Sequence, residues 1–461
     1  MFTHKQIARF RNYALLVLTM ILPTVSCAEQ ASDLISIFEI AEVERNAPET
    51  YNGGILAAGD VNADGFDDLI IGIQSTQSDY PDHTWSSKSI LLIYDPALQK
   101  YVPSQAFQAE ADRQIWPRRA IIHDFDGNGY GDIFIAGHGT DGMGMIHCGD
   151  RNSLIFSKDG SFKSATLGMP AVSDYSHGLV SGFFNQDSVK DLLVLNSPFI
   201  ENTCPNDIDY TNKSYVLDGA KISTSKKIIL SGLKRFMDPK QDSDLVLHGK
   251  AADLNNDGVD DIIVGGQFSV QVFESTGQGK YKRTAVVNPP DSYYNLFDSA
   301  NCLSDKGVCF TPYSAVSEID IDGDGQQEIV ASFLNQKNDG GWAGQYFQVL
   351  HFENGEWMDA TSKFIKQQGQ NQDGNGIWCN ELFVYDVDHD GTNDVICSAL
   401  SSGLRPFWIN KGGILTQAAN SPETENISYI TPVKLGDQHR LVGLEWIGSD
   451  TLTDLKVHIV E

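Results

Sequence analysis

Five short segments of the chain place oxygen-bearing side chains at one spacing, Asp-x-Asp/Asn-x-Asp/Asn-Gly-x-x-Asp/Glu. They supply Asp60, Asn62, Asp64 and Asp68; Asp124, Asp126, Asn128 and Asp132; Asp253, Asn255, Asp257 and Asp261; Asp320, Asp322, Asp324 and Glu328; and Asp386, Asp388, Asp390 and Asp394. Side chains at positions 1, 3, 5 and 9 of such a loop converge on a point. The backbone carbonyl of position 7 (Phe66, Tyr130, Val259, Gln326 or Thr392) adds a further oxygen, and glycine at position 6 permits the sharp turn. Hard oxygen donors without His or Cys select Ca2+ over zinc or copper, while Mg2+ retains more of its water. The expected cofactor is calcium, at about five sites. An EF-hand is excluded, because the acid closes at position 9, no Glu stands at position 12, and β-branched runs flank the loops. The last two loops carry four ligand carboxylates and the others three, so those two are expected to bind most tightly.

Strands must hold these loops. A short apolar stretch precedes each, such as ILAAG or LFVY, and a run such as LIIG, IFIA, IIVG or VICS follows, at strand length rather than helix length. Two weaker copies complete the series. In GFFNQDSVKDLLVLN, Phe183 takes position 1 and Ser188 replaces the glycine; in EWIGSDTLTDLKVHIV, Trp446 takes position 1. Both are expected to hold no metal, with Phe183 and Trp446 packing apolar surface instead. The unit recurs about every 64 residues, which points to one repeat architecture rather than several domains. Each unit has room for two outer strands, and LLIYDP, VQVFES and YFQVLHFENG are candidates. Four strands in each of seven units give an all-β fold, a seven-bladed β-propeller with calcium-binding hairpin loops. An open solenoid fits less well, since its repeats run to roughly 20–30 residues. The last copy reaches the end of the chain, so the alternating segment Ile35–Glu44 is expected to complete the seventh blade and close the ring.

The remaining sequence narrows compartment and partners. Lys5, Arg9 and Arg11 followed by an apolar run, Tyr13–Leu22, and by small residues read as a secretory signal peptide over 1–28, leaving 30–461 as a single propeller. Thr24-Val25-Ser26-Cys27 is similar to a bacterial lipoprotein box, with Thr24 where Leu is usual. Lipidation of Cys27 and cleavage after Ala28 to a soluble chain both stay open, so the protein is expected to be exported: secreted, periplasmic or lipid-anchored at the cell surface. Apart from Cys27, six of the seven cysteines remain, an even number suited to disulfides in an oxidising compartment. Cys302 and Cys309 are expected to pair, while Cys148, Cys204, Cys379 and Cys397 allow three pairings. No apolar run approaches the ~18 residues of a membrane span. With 33 Lys+Arg against 61 Asp+Glu, a net charge of -28 excludes a strongly basic nucleic-acid binder.

The repeated unit, with GDVNADGFDDLIIG as its nearest match, resembles the FG-GAP/VCBS repeats of integrin α-subunit heads and many bacterial surface proteins. The Phe-Gly…Gly-Ala-Pro signature is absent, so the VCBS-like form is nearer. The resemblance implies a seven-bladed propeller with calcium in hairpin loops at one face, and functions spread over adhesion, glycan binding and polysaccharide lyases. It implies no particular ligand.

No HExxH, GxSxG or phosphate-cradling loop is present. His138, His147 and Cys148 lie close together in HGTDGMGMIHCGD, and Asp373 sits in a turn-like GQNQDGNGIW. Trp85, Trp342 and Trp378, with Tyr293 and Tyr294, are read as loop aromatics that stack on sugars or anchor a protein. The expectation is a calcium-rigidified binding or adhesion module for a glycan or protein, not an enzyme. The alternatives are a calcium-dependent polysaccharide lyase and a structural subunit of a surface assembly.

Overall fold

The runs that follow the acidic loops have no polar face: Leu69, Ile70, Ile71, Ile133, Phe134, Ile135, Ile262, Ile263 and Val264 are fully buried. A strand of this kind needs cover on both sides. In the computed structural model, neighbouring sheets provide it. The structure describes residues 34–36, 51–75, 87–104, 107, 112–139, 149–166, 175–185, 187–196, 214–224, 226–228, 230–231, 233, 246–289, 313–336, 342–366, 379–399, 407–418, 427–447 and 454–460. Their strands form seven four-stranded sheets, the blades of a propeller.

The inner strands, from blade one to blade seven, are Tyr51–Gly59, Pro117–His123, Ser176–Gly182, Val246–Ala252, Tyr313–Ile319, Cys379–Tyr385 and Ser428–Leu435. Adjacent blades share a core. Leu69, Ile71 and Ile73 pack against Val433, Val442 and Leu444 of blade seven, while Ile70 turns the other way, towards Ile133 and Ile135 of blade two. The same alternation continues around the ring to Ile396 of blade six against Ile430 and Leu441 of blade seven. At about 2 kcal/mol per buried aliphatic side chain, these inter-blade cores hold the ring, and among the described residues no blade has a core of its own.

Closure is by the N-terminal segment. Ile35–Ser36 pairs antiparallel with Asp454–Val460 as the outer strand of blade seven. Of the expected closing segment, residues 37–44 lie outside the described residues. One expectation is corrected. The turn between the inner and second strands of blade seven is the short Leu435–Gln438 connection, not the acidic-looking stretch after Trp446. Trp446 lies within the second strand, Gln438–Ile447, and its indole N–H donates to Gly53 O at 3.1 Å, seaming blade seven to blade one. A hairpin with a single acid, Asp437, carries no repeat signature, and a chance match one strand later took its place.

The inner strands also share a bulge. In blades two to six the pairing register shifts five residues before the strand's last residue, at Arg118, His177, Leu247, Ser314 and Asn380. A bulge re-aims the side chains beside it, and here it does so at one level of the ring in five consecutive blades.

Candidate functional site

Position 9 of each acidic loop opens the second strand of its blade, and Asp68, Asp132, Asp261, Glu328 and Asp394 are fully buried there. One oxygen accepts the N–H of position 2: Val61 at 3.1 Å, Phe125 at 2.9 Å, Leu254 at 3.0 Å, Ile321 at 2.8 Å and Val387 at 2.8 Å. The other oxygen accepts from the third strand: the N–H groups of Tyr94 (2.9 Å), Ser157 (2.9 Å), Ser275 (2.6 Å) and Asn410 (2.7 Å), and for Glu328 the His351 Nδ1 at 2.7 Å. This acid is therefore a latch between loop and sheet, whatever it offers to a metal. Burial pushes its carboxyl up, to about 7 in Asp68 and Asp261 and about 6 in Asp132, and in the same direction in Glu328 and Asp394.

Position 1 organises the turn. Its carboxylate accepts the position-6 N–H in all five loops, at 2.8 Å for Asp60, Asp124 and Asp253 and 2.9 Å for Asp320 and Asp386. Position 6 has positive φ, from +82° at Gly258 to +89° at Gly129, which is why glycine recurs there. Position 4 is left-handed too, even where it is Ala63 (φ 59°) or His389 (φ 57°). Position 5 accepts the N–H of position 7 in an Asx turn (Asp64 from Phe66, Asn128 from Tyr130, Asp257 from Val259, Asp324 from Gln326, Asp390 from Thr392).

In blades two, five and six, one carboxylate oxygen each from positions 1, 3 and 9 lie within 4.8 Å of one another: Asp124/Asp126/Asp132, Asp320/Asp322/Glu328 and Asp386/Asp388/Asp394. Asn62 and Asn255 replace the middle acid in blades one and four. Position 5 stays outside these trios. The donor set fits calcium: oxygen only, irregular, and built on a buried carboxylate at position 9. Calcium at ~2.3–2.6 Å from each oxygen spans donors about 5 Å apart. Two loops already carry a cation of the chain's own, since Lys363 lies 2.9 Å from Asp322, and Lys411 lies 2.6 Å from Asp390 and also bonds Asp388.

Blade three differs, as its sequence suggests. Phe183 supplies no carboxylate; its N–H donates to Asp260 Oδ2 of blade four at 2.8 Å, and its ring lies under Lys190 at 5.5 Å.

A family model for the FG-GAP repeat matches residues 52–78, the inner strand and loop of blade one with the strand that follows. The chain is an FG-GAP-repeat β-propeller protein. A Bos taurus phosphatidylinositol-glycan-specific phospholipase D is 27% identical over 199 residues, covering 39% of this chain and 21% of that protein; the chain thus spans about a fifth of that relative's length. Among solved structures, an Agrocybe aegerita lectin specific for non-reducing terminal N-acetylglucosamine is 12% identical at TM-score 0.40, over 80% of this chain and 79% of that one. A Pseudomonas aeruginosa periplasmic gluconolactonase is 11% identical at TM-score 0.41, over 86% and 85%. A Bacillus licheniformis rhamnogalacturonan lyase is 10% identical at TM-score 0.27, over 91% and 75%.

The FG-GAP propeller places the other candidates as follows. Cys379 and Cys397 join the inner and second strands of blade six with Cα atoms 5.5 Å apart, selecting one of the three open pairings. Trp342 is not on a loop: it opens the strand Trp342–Glu353 and pairs with Gln336, because the blade-five hairpin extends further than its apolar run suggests. His138 is fully buried, its ring Nε2 2.7 Å from His177 Nε2. Cys27, Trp85, His147, Cys148, Cys204, Tyr293, Tyr294, Cys302, Cys309, Asp373 and Trp378 lie outside the described residues.

Two features went unread in the sequence. Position 8 ties the loops of blades one, two and four to the blade before: Asp67 N–H donates to Lys434 O at 2.8 Å, Gly131 N–H to Asp60 O at 3.1 Å, and Asp260 Oδ2 accepts the Phe183 N–H at 2.8 Å. The doubled acid in FDD and VDD was the visible trace of this link. The second feature is an axial ion cluster. Arg119, His248 and Glu381 stand at one register, just after the bulge, on the inner strands of blades two, four and six. Blades that are not neighbours meet only across the axis. Val316 N–H donates to His248 Nδ1 at 3.0 Å, which leaves the Nε2 proton to donate to Glu381 Oε1 at 2.9 Å. The Arg119 guanidinium lies 3.4 Å from Glu381 Oε2. Burial alone raises the Glu381 carboxyl, but His248 and Arg119 outweigh it and hold it at about 2. Gly178 and Ala315 take this register in blades three and five and leave the long side chains room.

Proposed function

We propose that this protein is an exported, calcium-binding propeller that presents a binding site for an extracellular glycan or protein and does not turn its ligand over. The observation that carries the reading is the likeness of five loops: oxygen donors at the same positions, a position-9 acid latched at both oxygens and the same turn, on one face of the ring. The leader-like residues 1–28 and the Cys379–Cys397 pair support export. No helix among the described residues is long and apolar enough to cross a membrane.

The ligand site is assigned to that same face. A cleft of about 510 Å³ separates the loop of blade six from the turn of blade seven, lined by Tyr385, His389, Asn393, His439 and Arg440 with Asp386 beside them. One aromatic ring among several polar donors suits a hydroxyl-rich ligand, and calcium on Asp386 would fix the wall that bears His389. A glycan array read in millimolar calcium and in chelator tests this. Binding that needs calcium and is lost in Arg440→Ala supports the reading; silence in both conditions together with unaltered partner capture in Arg440→Ala overturns it. Because His and Arg side chains line the cleft, the same samples go into an assay for unsaturated uronide products. Turnover there replaces the binding module with the lyase alternative.

A further inference from the structure

We infer that blade three carries a divalent-cation site of its own, built from Asp187 and Asp191, which stand at positions 5 and 9 of its degenerate loop, and from Asp218, which belongs to no loop. The sequence reads this unit as empty, because Phe183 and Ser188 remove position 1 and the glycine. The fold supplies the missing acid from elsewhere. The third strand of the blade, Tyr215–Leu217, pairs with Leu192–Val194 with Leu217 opposite Leu192. The next step of that register brings Asp218 beside Asp191. Oxygens of Asp187, Asp191 and Asp218 then lie within 4.8 Å of one another.

An acidic cluster alone is no site, but this one has a second property that the five regular loops lack. In those loops both oxygens of the position-9 acid are hydrogen-bonded. In blade three, Asp191 Oδ1 accepts the Gly219 N–H at 3.0 Å and the Asn185 amide at 3.2 Å, whereas Asp191 Oδ2 has no hydrogen-bond partner. Asp218 repeats the pattern: Lys226 and Lys221 reach its Oδ2 at 3.1 and 3.6 Å, and its Oδ1 has no partner. Asp191 is fully buried and Asp218 is 3% exposed. Two enclosed carboxylate oxygens without hydrogen-bond partners, on acids whose ligand atoms converge, call for a countercharge that a bound cation supplies.

The surroundings are shaped for this approach. Gly219 follows Asp218, and a Cβ there would lie 2.0 Å from the Lys190 carbonyl, so only glycine brings the strand end against the loop. Asp187 is exposed and leaves the outer side open to water. The donors are all oxygen, without His or Cys, and irregularly placed, which suits calcium with water completing its shell. The two lysines are about half exposed and hold only the outer oxygen of Asp218.

This inference stands apart from the reading of the five loops, and one experiment separates the two. Crystals of the intact protein are soaked in a lanthanide and in calcium, and the anomalous peaks are assigned loop by loop. Native mass spectrometry counts calcium in wild type, Asp218→Asn and Asp187→Asn, with circular dichroism confirming the fold. The expected result is a peak among Asp187, Asp191 and Asp218 and one ion fewer in each variant. Asp187 is exposed, so its variant tests the site even where Asp218→Asn disturbs the blade. Peaks in the regular loops with none at blade three, or an ion count unchanged in Asp187→Asn, overturn the proposal and leave the loops standing. A peak at blade three alone upholds it and removes the calcium reading of the others.

Discussion

The acidic loops of blades one, two and four and those of blades five and six share one backbone and one set of hydrogen bonds, yet they reach a common charge by different routes. The first group has three ligand carboxylates per loop. The second has four, with Lys363 or Lys411 laid across them. Each loop therefore presents the same net charge to an incoming ion. Counting acids along the sequence ranks loops five and six highest; the lysines, contributed by a helical turn and by the third-to-outer hairpin, remove the basis of that ranking. Local charge is a property of the folded neighbourhood, and the motif states only part of it.

The largest effect expected from this comparison is calcium itself. A site held at a hundredfold excess over its dissociation constant contributes about 2.7 kcal/mol, and several sites act together. Scanning calorimetry in millimolar calcium and in chelator is expected to show a fall in melting temperature well beyond that of any single substitution. Equal melting temperatures would remove calcium from the account.

The next separates latch from ligand. Asp261→Ala leaves the Leu254 and Ser275 N–H groups without partners and is expected to cost about 3 kcal/mol in chelator, and more in calcium, where a metal ligand is lost as well. Asp253→Asn keeps an acceptor for the turn and is expected to cost stability only in calcium. Urea titrations of both variants in both buffers give the four numbers, and an Asp261→Ala that costs nothing in chelator would remove the latch.

The axial cluster serves as a reference that contains no loop. Glu381→Gln leaves Arg119 enclosed beside a neutral group and is expected to cost about 3 kcal/mol irrespective of calcium. The sign with pH follows from a folded value of about 2 against an ordinary 4.5. The stabilisation is complete above about 4.5 and lost as pH falls towards 2, so wild type and variant converge only in that acid window. A gap that instead closes at neutral pH would show that Glu381 is not the charged partner.

The smallest is Lys411→Met. Removing the resident cation is expected to raise calcium affinity in loop six about threefold, with a steeper salt dependence; isothermal titration against wild type reads it. An unchanged affinity would mean that the lysine swings clear when the ion arrives.

Much of this was legible in the residues. Asp60 to Asp68 and its four counterparts announced both loop and strand, because a metal cage needs its donors at fixed spacing and a two-faced core needs an unbroken apolar run. Other features leave no local mark. The hairpin at Gly436 has one acid, Asp437, and no spaced donor set, so the seventh copy was placed on Trp446. The latch at position 9 looks like any ligand in sequence; its second partner, such as Tyr94 for Asp68, lies a whole strand away. Asp218 belongs to no motif at all. Arg119, His248 and Glu381 have no pattern within a window of any length used to find strands, although they fall about two repeat lengths apart, and reading each register position down the repeats would have lined them up.

Among the described residues, the strand that shuts the ring is joined by two residue pairs, Ile35 with Leu455 and Ser36 with Asp454. This strand is made before blade one and must wait, unpaired, until blade seven has been synthesised. Tension applied upstream of Ile35 would be delivered straight to this seam, so a tethered molecule under load should peel open at blade seven while the interiors of blades two to six stay folded.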